Sequence, residues 1–269
     1  SDAPREFLAR APLVVLPAAG YSWEDYRTIL EHFAPERRVF ALDWPGFGAS
    51  AKPAPREFAY STAHFAEVLA SWMDNVGIAR AVLLGHANGA AAAVRYSAAH
   101  PERVAGLCLI APSGFAPRRP LLSLAPRLLG VPSALRLIEP RLTSFALGPT
   151  TAATTALLGA HRSRRSAPEY TAQVAAHAAL WRNSARPDEY LTPLAKTVSA
   201  PTIIVRGALD PLFSGGDAKH AAEAFGVRRP LVVTLPGAGH LPVLQSPDRF
   251  FQVVGGLLNT AEANAAVNN

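Results

Sequence analysis

Short runs of apolar residues alternate along the chain with longer stretches in which apolar residues recur every three or four positions. The short runs have the length of strands, and the longer stretches have the periodicity of amphipathic helices. The predicted strands are Pro12–Leu16, Arg38–Asp43, Ala81–Leu84, Val104–Ala111, Thr202–Arg206 and Leu231–Leu235. This alternation predicts an α/β fold in which helices cover both faces of a mostly parallel, doubly wound sheet.

The predicted helices carry recognisable start and stop signals. Ser22, with Asp25 three residues later, predicts a helix that continues to about Phe33. Further helices are predicted at Ser61–Val76, through Ala90–Ala99 and from Pro247 onward. The tail after Asn259 is rich in alanine and asparagine, and we expect it to fray.

Residues 113–190 interrupt the alternation of strands and helices. This segment contains eight prolines and short helical patterns, of which Tyr170–Arg182 is one. We interpret it as a helical cap over the carboxyl ends of the strands, where ligands bind in open α/β sheets. The predicted division is therefore a core domain, 1–112 and 191–269, and a helical cap, 113–190.

Composition excludes several classes of protein. Of the 269 residues 49% are hydrophobic and 17% are charged, which is unlike a disordered chain or a disulfide scaffold. A single cysteine, Cys108, permits no internal disulfide and cannot build a metal site alone. No run of eighteen apolar residues is present, so no membrane span is expected. The first residues lack the pattern of a secretory signal peptide, which favours a cytoplasmic location. Because the chain does not begin with Met, the alternative is that a signal peptide has already been removed.

The net charge of +6 is concentrated in one segment. Residues 113–190 contain ten arginines, no lysine and four acidic residues, whereas the rest of the chain is balanced. One interpretation is attraction of anionic substrates or surfaces, and the other, which we favour at this point, is a solvated arginine-rich surface. Basic and aromatic residues are not interleaved as in nucleic-acid-binding modules, so we expect no nucleic-acid partner.

The most specific local pattern surrounds Ala87. An apolar strand leads into Gly85-His86-Ala87-Asn88-Gly89 and then into an alanine-rich helix. Small residues two positions before and after the centre permit a very tight turn from strand to helix, which projects the central side chain above the sheet. In the motif Gly-x-Ser-x-Gly the central residue is a nucleophilic serine, and here alanine stands in its place.

Four segments, in chain order, resemble the α/β-hydrolase superfamily. They are the loop Asp43–Ser50, the turn Gly85–Gly89, the strand and turn Pro201–Pro211, and the loop Pro236–His240. The order of turn, acid and histidine is the order of that family. The resemblance covers nearly the whole chain and implies the α/β-hydrolase fold with a helical cap insertion.

The resemblance also implies roles for individual residues. Ala87 occupies the nucleophile position, His240 the position of the general base, and Asp210 that of the carboxylate that orients the base. We assign structural roles to five other histidines, His32, His64, His86, His100 and His220.

An oxyanion hole in this family uses two backbone N–H groups. One is implied at Asn88, directly after the nucleophile position, and the other at Ala19, with Ala18 as the alternative. The chain departs from the family here, because Pro17-Ala18 stands where His-Gly is usual.

Three functions remain open from the sequence. The first is a serine hydrolase of the carboxylesterase kind, in which alanine has replaced the serine, so that the chain as written is inactive. The second is a natural enzyme without covalent catalysis, such as a lyase, decarboxylase or cofactor-free oxygenase, in which a His240–Asp210 dyad moves a proton. The third is a ligand-binding pseudoenzyme. The expected partner is a small acyl substrate, and neither a metal nor a cofactor is expected.

Overall fold

The computed structural model of the protein describes residues 5–115 and 125–267. Within these ranges six strands form one sheet in the order β2-β1-β3-β4-β5-β6, and every neighbouring pair is parallel. The strands are β1 Leu13–Leu16, β2 Val39–Ala41, β3 Ala81–His86, β4 Val104–Ile110, β5 Thr202–Gly207 and β6 Leu231–Leu235. The predicted α/β architecture is confirmed, and each predicted strand is present with ends that differ by at most two residues.

Helices cover the sheet. They are α1 Arg5–Ala9, α2 Arg27–Phe33, α3 Thr62–Asn75, α4 Asn88–Ala99, α5 Ala125–Leu129, α6 Pro132–Leu147, α7 Ala152–Arg164, α8 Tyr170–Ser184, α9 Thr192–Ala195, α10 Gly215–Ala224 and α11 Pro247–Val267. Every residue of β3 and β4 is buried, as expected for central parallel strands that are packed on both faces. The helix predicted from Ser22 begins as a 3₁₀ turn, Trp23–Tyr26, and becomes α-helical at α2.

The expected fraying after Asn259 is wrong, because α11 continues to Val267. Ala261 is buried against the core, and the carboxylate of Glu262 lies 2.8 Å from the guanidinium of Arg37, which is itself almost completely buried. A buried cation without a counter-charge is costly, so this ion pair fixes the last turns of the helix. Alanine, the strongest helix former, supports the same outcome.

The segment between β4 and β5 is helical, as predicted, although residues 116–124 lie outside the described ranges. Its longest helix, α6, runs for sixteen residues through Pro140, where the prolines predicted shorter pieces. Packing explains the difference, because Leu135 on this helix is buried against Tyr170 and Val174 of α8. The bounds of the predicted cap and core domains stay a prediction.

This helical segment contacts the carboxyl edge of the sheet. The carbonyl of Ala146 at the end of α6 accepts a hydrogen bond of 2.9 Å from the N–H of His240, in the loop after β6. A Cβ added at Gly20, in the turn after β1, would lie 3.2 Å from the ring of His177 on α8. The segment therefore lies over the loops that carry the candidate site.

Candidate active site

The turn between β3 and α4 holds its central residue in a conformation that side chains rarely adopt. Ala87 has φ 47° and ψ −108°. Its N–H donates to the carbonyl of Ile110 at 2.9 Å, and its carbonyl accepts from Ser113 at 3.2 Å. A non-glycine residue in such a region costs on the order of 1–3 kcal/mol and persists only where its surroundings enforce it.

The two glycines of the turn are required by space. A Cβ added at Gly85 would lie 2.5 Å from the Cα of Ala90, and one at Gly89 would lie 2.2 Å from the carbonyl oxygen of Leu16. Both neighbours are backbone atoms, which cannot move aside without moving the strand or the helix. The chain thus folds into a tight elbow in which position 87 stands above the end of β3.

His240 and Asp210, which the sequence separates by thirty residues, are in contact. Nδ1 of His240 lies 2.8 Å from Oδ2 of Asp210, and the Asp210 side chain is fully buried. The other carboxylate oxygen accepts hydrogen bonds from the N–H groups of Leu212 and Phe213, at 2.8 and 3.1 Å. The carboxylate is therefore satisfied on both oxygens, and it orients the imidazole so that Nε2 is the ring nitrogen left to accept a proton.

The imidazole of His240 lies next to the elbow. Its ring centroid is 4.6 Å from that of His86, the residue that precedes Ala87 in the chain. Burial, followed by the proximity of His240, lowers the pKa of His86 well below its usual value, so His86 is neutral in the folded protein. The structure thus brings the predicted acid and base to the same edge of the sheet as position 87.

Hydrogen bonds join the elbow to the turn after β1. The hydroxyl of Tyr26 accepts from the N–H of Ala18 at 3.0 Å and lies 2.6 Å from Nδ1 of His86. The hydroxyl has one proton and two lone pairs, so besides accepting from Ala18 it either donates to Nδ1 or accepts from it, according to the tautomer of His86.

The hydrogen bonds of Tyr26 also determine which backbone N–H groups are free to act as the predicted oxyanion donors. The Ala18 N–H is committed to Tyr26, which removes the alternative donor and leaves Ala19 as the candidate in this turn. Asn88 is the first residue of α4, so its N–H is one of the four that lack an acceptor inside the helix. The His86–Tyr26–Ala18 connection fixes the spacing of the two segments that carry these donors.

A sequence profile of the alpha/beta hydrolase fold matches residues 11–247. The chain belongs to this family. Segments of the chain also match curated proteins. Over 112 residues the chain is 34% identical to the human (Lyso)-N-acylphosphatidylethanolamine lipase, a match that covers 41% of this chain and 32% of the lipase. Over 138 residues it is 33% identical to the rat 1-acylglycerol-3-phosphate O-acyltransferase ABHD5, covering 51% of this chain and 38% of the relative. The chain thus matches about a third of the length of each of these relatives.

Solved structures of this family superimpose over almost the whole chain. The esterase from Thermogutta terrifontis has a TM-score of 0.75 at 22% identity and covers 93% of this chain and 90% of its own. The enol-lactonase from Burkholderia xenovorans LB400 has a TM-score of 0.75 at 18% identity, with 93% and 92% covered. At these identities the likeness establishes the fold alone.

Two histidines over the site, His161 and His177, were not singled out by the sequence patterns. His177 bonds through Nδ1 to Glu139 of α6 at 2.9 Å, and His161 bonds through Nε2 to Asp25 at 3.2 Å. The sequence contains a pattern that could have identified His177, because Tyr170, Val174 and His177 are spaced so that they share one face of α8. Of the histidines assigned structural roles, His32 stacks on a phenylalanine of α11 and His220 lies 3.1 Å from the hydroxyl of Tyr190, whereas His86 lies in the site beside His240.

The described part of the chain contains no cluster of three or more side chains able to hold a metal ion. Among the same residues, no helix is both long enough and apolar enough to cross a bilayer.

Proposed function

We propose that this site is that of an acyl hydrolase of the Ser-His-Asp type in which alanine stands at the nucleophile position. The observation that carries the proposal is the 2.8 Å contact between His240 and Asp210 beside an elbow strained at Ala87. A strained turn and a buried, fully satisfied carboxylate serve chemistry, because neither is needed to stabilise a sheet. The chain as written binds an acyl substrate without turning it over.

With serine at position 87 the roles follow from the geometry. His240 takes the hydroxyl proton on Nε2 as the oxygen attacks the acyl carbon, and Asp210 stabilises the imidazolium that forms. The N–H groups of Ala19 and Asn88 stabilise the oxyanion. His240 then gives the proton to the leaving group, and water completes the cycle by the same route.

We assign residues 113–190 the role of a cap that closes the site. Support comes from the hydrogen bond between Ala146 and the backbone of His240, and from the approach of His177 to Gly20. A cap in this position excludes water from the reacting acyl group and selects substrates by shape and charge.

A second candidate is a non-covalent enzyme in which the His240–Asp210 dyad is the general base. The specific observation in its favour is that this dyad is complete without any hydroxyl at position 87. Such a base would remove a substrate proton or activate water, and would contribute about 10²–10⁴ in rate.

One set of four proteins distinguishes the two candidates: the present chain, Ala87→Ser, His240→Ala and the double variant. For a triad site we expect activated esters to be hydrolysed by Ala87→Ser alone, because loss of the nucleophile or base costs up to about 10⁶ in kcat. If the present chain turns over a substrate and loses that activity with His240→Ala, the dyad candidate is correct instead. If Ala87→Ser is folded and inactive towards esters, thioesters and lactones, the hydrolase proposal is wrong.

A further inference from the structure

A cavity of about 130 Å³ lies beside the turn that follows β1. Gly20, one residue beyond the proposed donor Ala19, forms part of its wall, and α6, α7 and α8 form the rest. Its volume is below the roughly 300–1,000 Å³ of sites that enclose a whole ligand. The cavity therefore has the size to hold one group of a larger molecule.

Two charged side chains in the wall, Arg164 and Glu139, already have charged partners. The guanidinium of Arg164 lies 2.8 and 2.9 Å from the two carboxylate oxygens of Asp25 and 3.2 Å from Glu24. Glu139 is bonded to His177 and, at 3.0 Å, to the hydroxyl of Tyr170. Burial raises the pKa of Glu139, but the hydrogen bonds and charge of its neighbours, His177 first and then Tyr170 and His161, together outweigh burial, so the pKa is lowered and the group is ionised.

Two cations of the wall are left without a counter-charge. Arg162 and Arg165 line the cavity and are both exposed, and within the described ranges neither has a carboxylate at ion-pair distance; Arg165 hydrogen-bonds the hydroxyl of Tyr170. An adjoining groove shares Arg165 with the cavity and adds Arg136 and Arg141, which likewise lack a carboxylate partner in that part of the chain. Part of the excess positive charge of residues 113–190 thus lines a cavity and a groove beside the site.

We propose that this cavity binds an anionic group of the substrate, a carboxylate or a phosphate, whose acyl carbon lies at position 87. The inference rests on the proposed function and names its substrate class. Arg162 and Arg165 supply planar, permanently charged donors that match either group in a bidentate manner. Because neither arginine has a carboxylate partner among the described residues, an anionic group in the cavity forms charge-assisted hydrogen bonds that a neutral group cannot form.

The kinetic test uses the Ala87→Ser protein and two matched esters, 4-nitrophenyl hemisuccinate and its neutral methyl ester. We expect Arg162→Gln with Arg165→Gln to lower kcat/KM for the anionic ester about 10- to 100-fold, the range for lost charge-assisted hydrogen bonds. The neutral ester should change by less than about twofold, since it makes no such bond. Arg80→Gln, which removes one exposed positive charge before β3 at the opposite edge of the sheet, is the control for each single arginine substitution and should change neither. Equal losses for both esters would overturn the inference.

A binding test on the present chain is independent of turnover. Calorimetry with glutarate and with inorganic phosphate should detect binding that the double arginine variant loses and the Arg80→Gln variant keeps. Co-sedimentation with phosphatidylglycerol vesicles distinguishes a lipid headgroup from a free anion as the source. If binding is lost as expected while Ala87→Ser proves inactive, the anion site stands and the hydrolase proposal falls. If neither anion nor vesicle binding depends on Arg162 and Arg165, the inference is wrong.

Discussion

The hydroxyl of Tyr26 is the atom that connects the two halves of the candidate oxyanion hole. Tyr26 is fully buried, and its hydroxyl bonds both the Ala18 N–H and Nδ1 of His86. Tyr26→Phe leaves two buried polar groups unpaired at almost unchanged volume. Each such group costs about 1–3 kcal/mol, so we expect the free energy of unfolding to fall by about 2–4 kcal/mol in urea titrations.

The matched control is Tyr60→Phe. Tyr60 is also fully buried, but its hydroxyl makes a single bond, to the carbonyl of Pro53 at 2.6 Å. We expect a loss of about 0.5–1.5 kcal/mol there. In the Ala87→Ser background, Tyr26→Phe should also lower kcat about 10- to 100-fold, because small displacements of a donor are costly, whereas Tyr60→Phe should not. Equal unfolding energies and equal kcat values for the two variants would refute the reasoning.

Two further predictions concern the elbow and the charge pairs over the site. Gly89→Ala places a Cβ against the carbonyl of Leu16, so we expect the protein either not to fold or to lose at least about 3 kcal/mol of unfolding free energy in thermal or urea unfolding. The control is Gly255→Ala, in α11 with open space around it, which should be neutral or stabilising by up to about 1 kcal/mol. A Gly89→Ala protein as stable as the present chain would contradict the clash. Burial raises the pKa of Asp25, but hydrogen bonds from His161 and Arg164 outweigh it and lower the pKa. A carboxyl whose pKa is lower in the folded protein than in the unfolded chain stabilises the fold at pH values above the unfolded pKa. That stabilisation is lost as the pH falls through the folded pKa. The free energy of unfolding should therefore decline between about pH 5 and pH 3 more steeply in the present chain than in Asp25→Asn. Equal slopes would show that Asp25 does not carry this dependence.

The sequence predicted the sheet and the elbow well because both depend on local rules. Buried parallel strands are continuous apolar runs, and a turn that admits only glycine at positions 85 and 89 is written directly in the residue types. Asp210 and His240 followed from the resemblance, and the structure brings them into contact.

What the sequence did not predict depends on contacts between distant segments. The last turns of α11 are fixed by Arg37, more than two hundred residues away, so a window around Asn259 gave the opposite expectation. The partners of His161 and His177 lie on other elements, and no local pattern pairs a histidine of α7 with Asp25. Pro140 inside α6 has the same explanation, because packing against α8 outweighs the local preference.

We propose that position 87 is the nucleophile position of a triad site, beside the general base His240 and the oxyanion hole. The most direct measurement is the intact mass of the Ala87→Ser protein after incubation with a fluorophosphonate, which reacts with an activated serine hydroxyl. We expect one adduct per chain, at position 87 of the Ala87→Ser protein, and no adduct on the present chain. Adding His240→Ala should lower the rate of labelling by about 10³ or more. A folded Ala87→Ser protein that stays unlabelled, or that labels equally fast without His240, would contradict it.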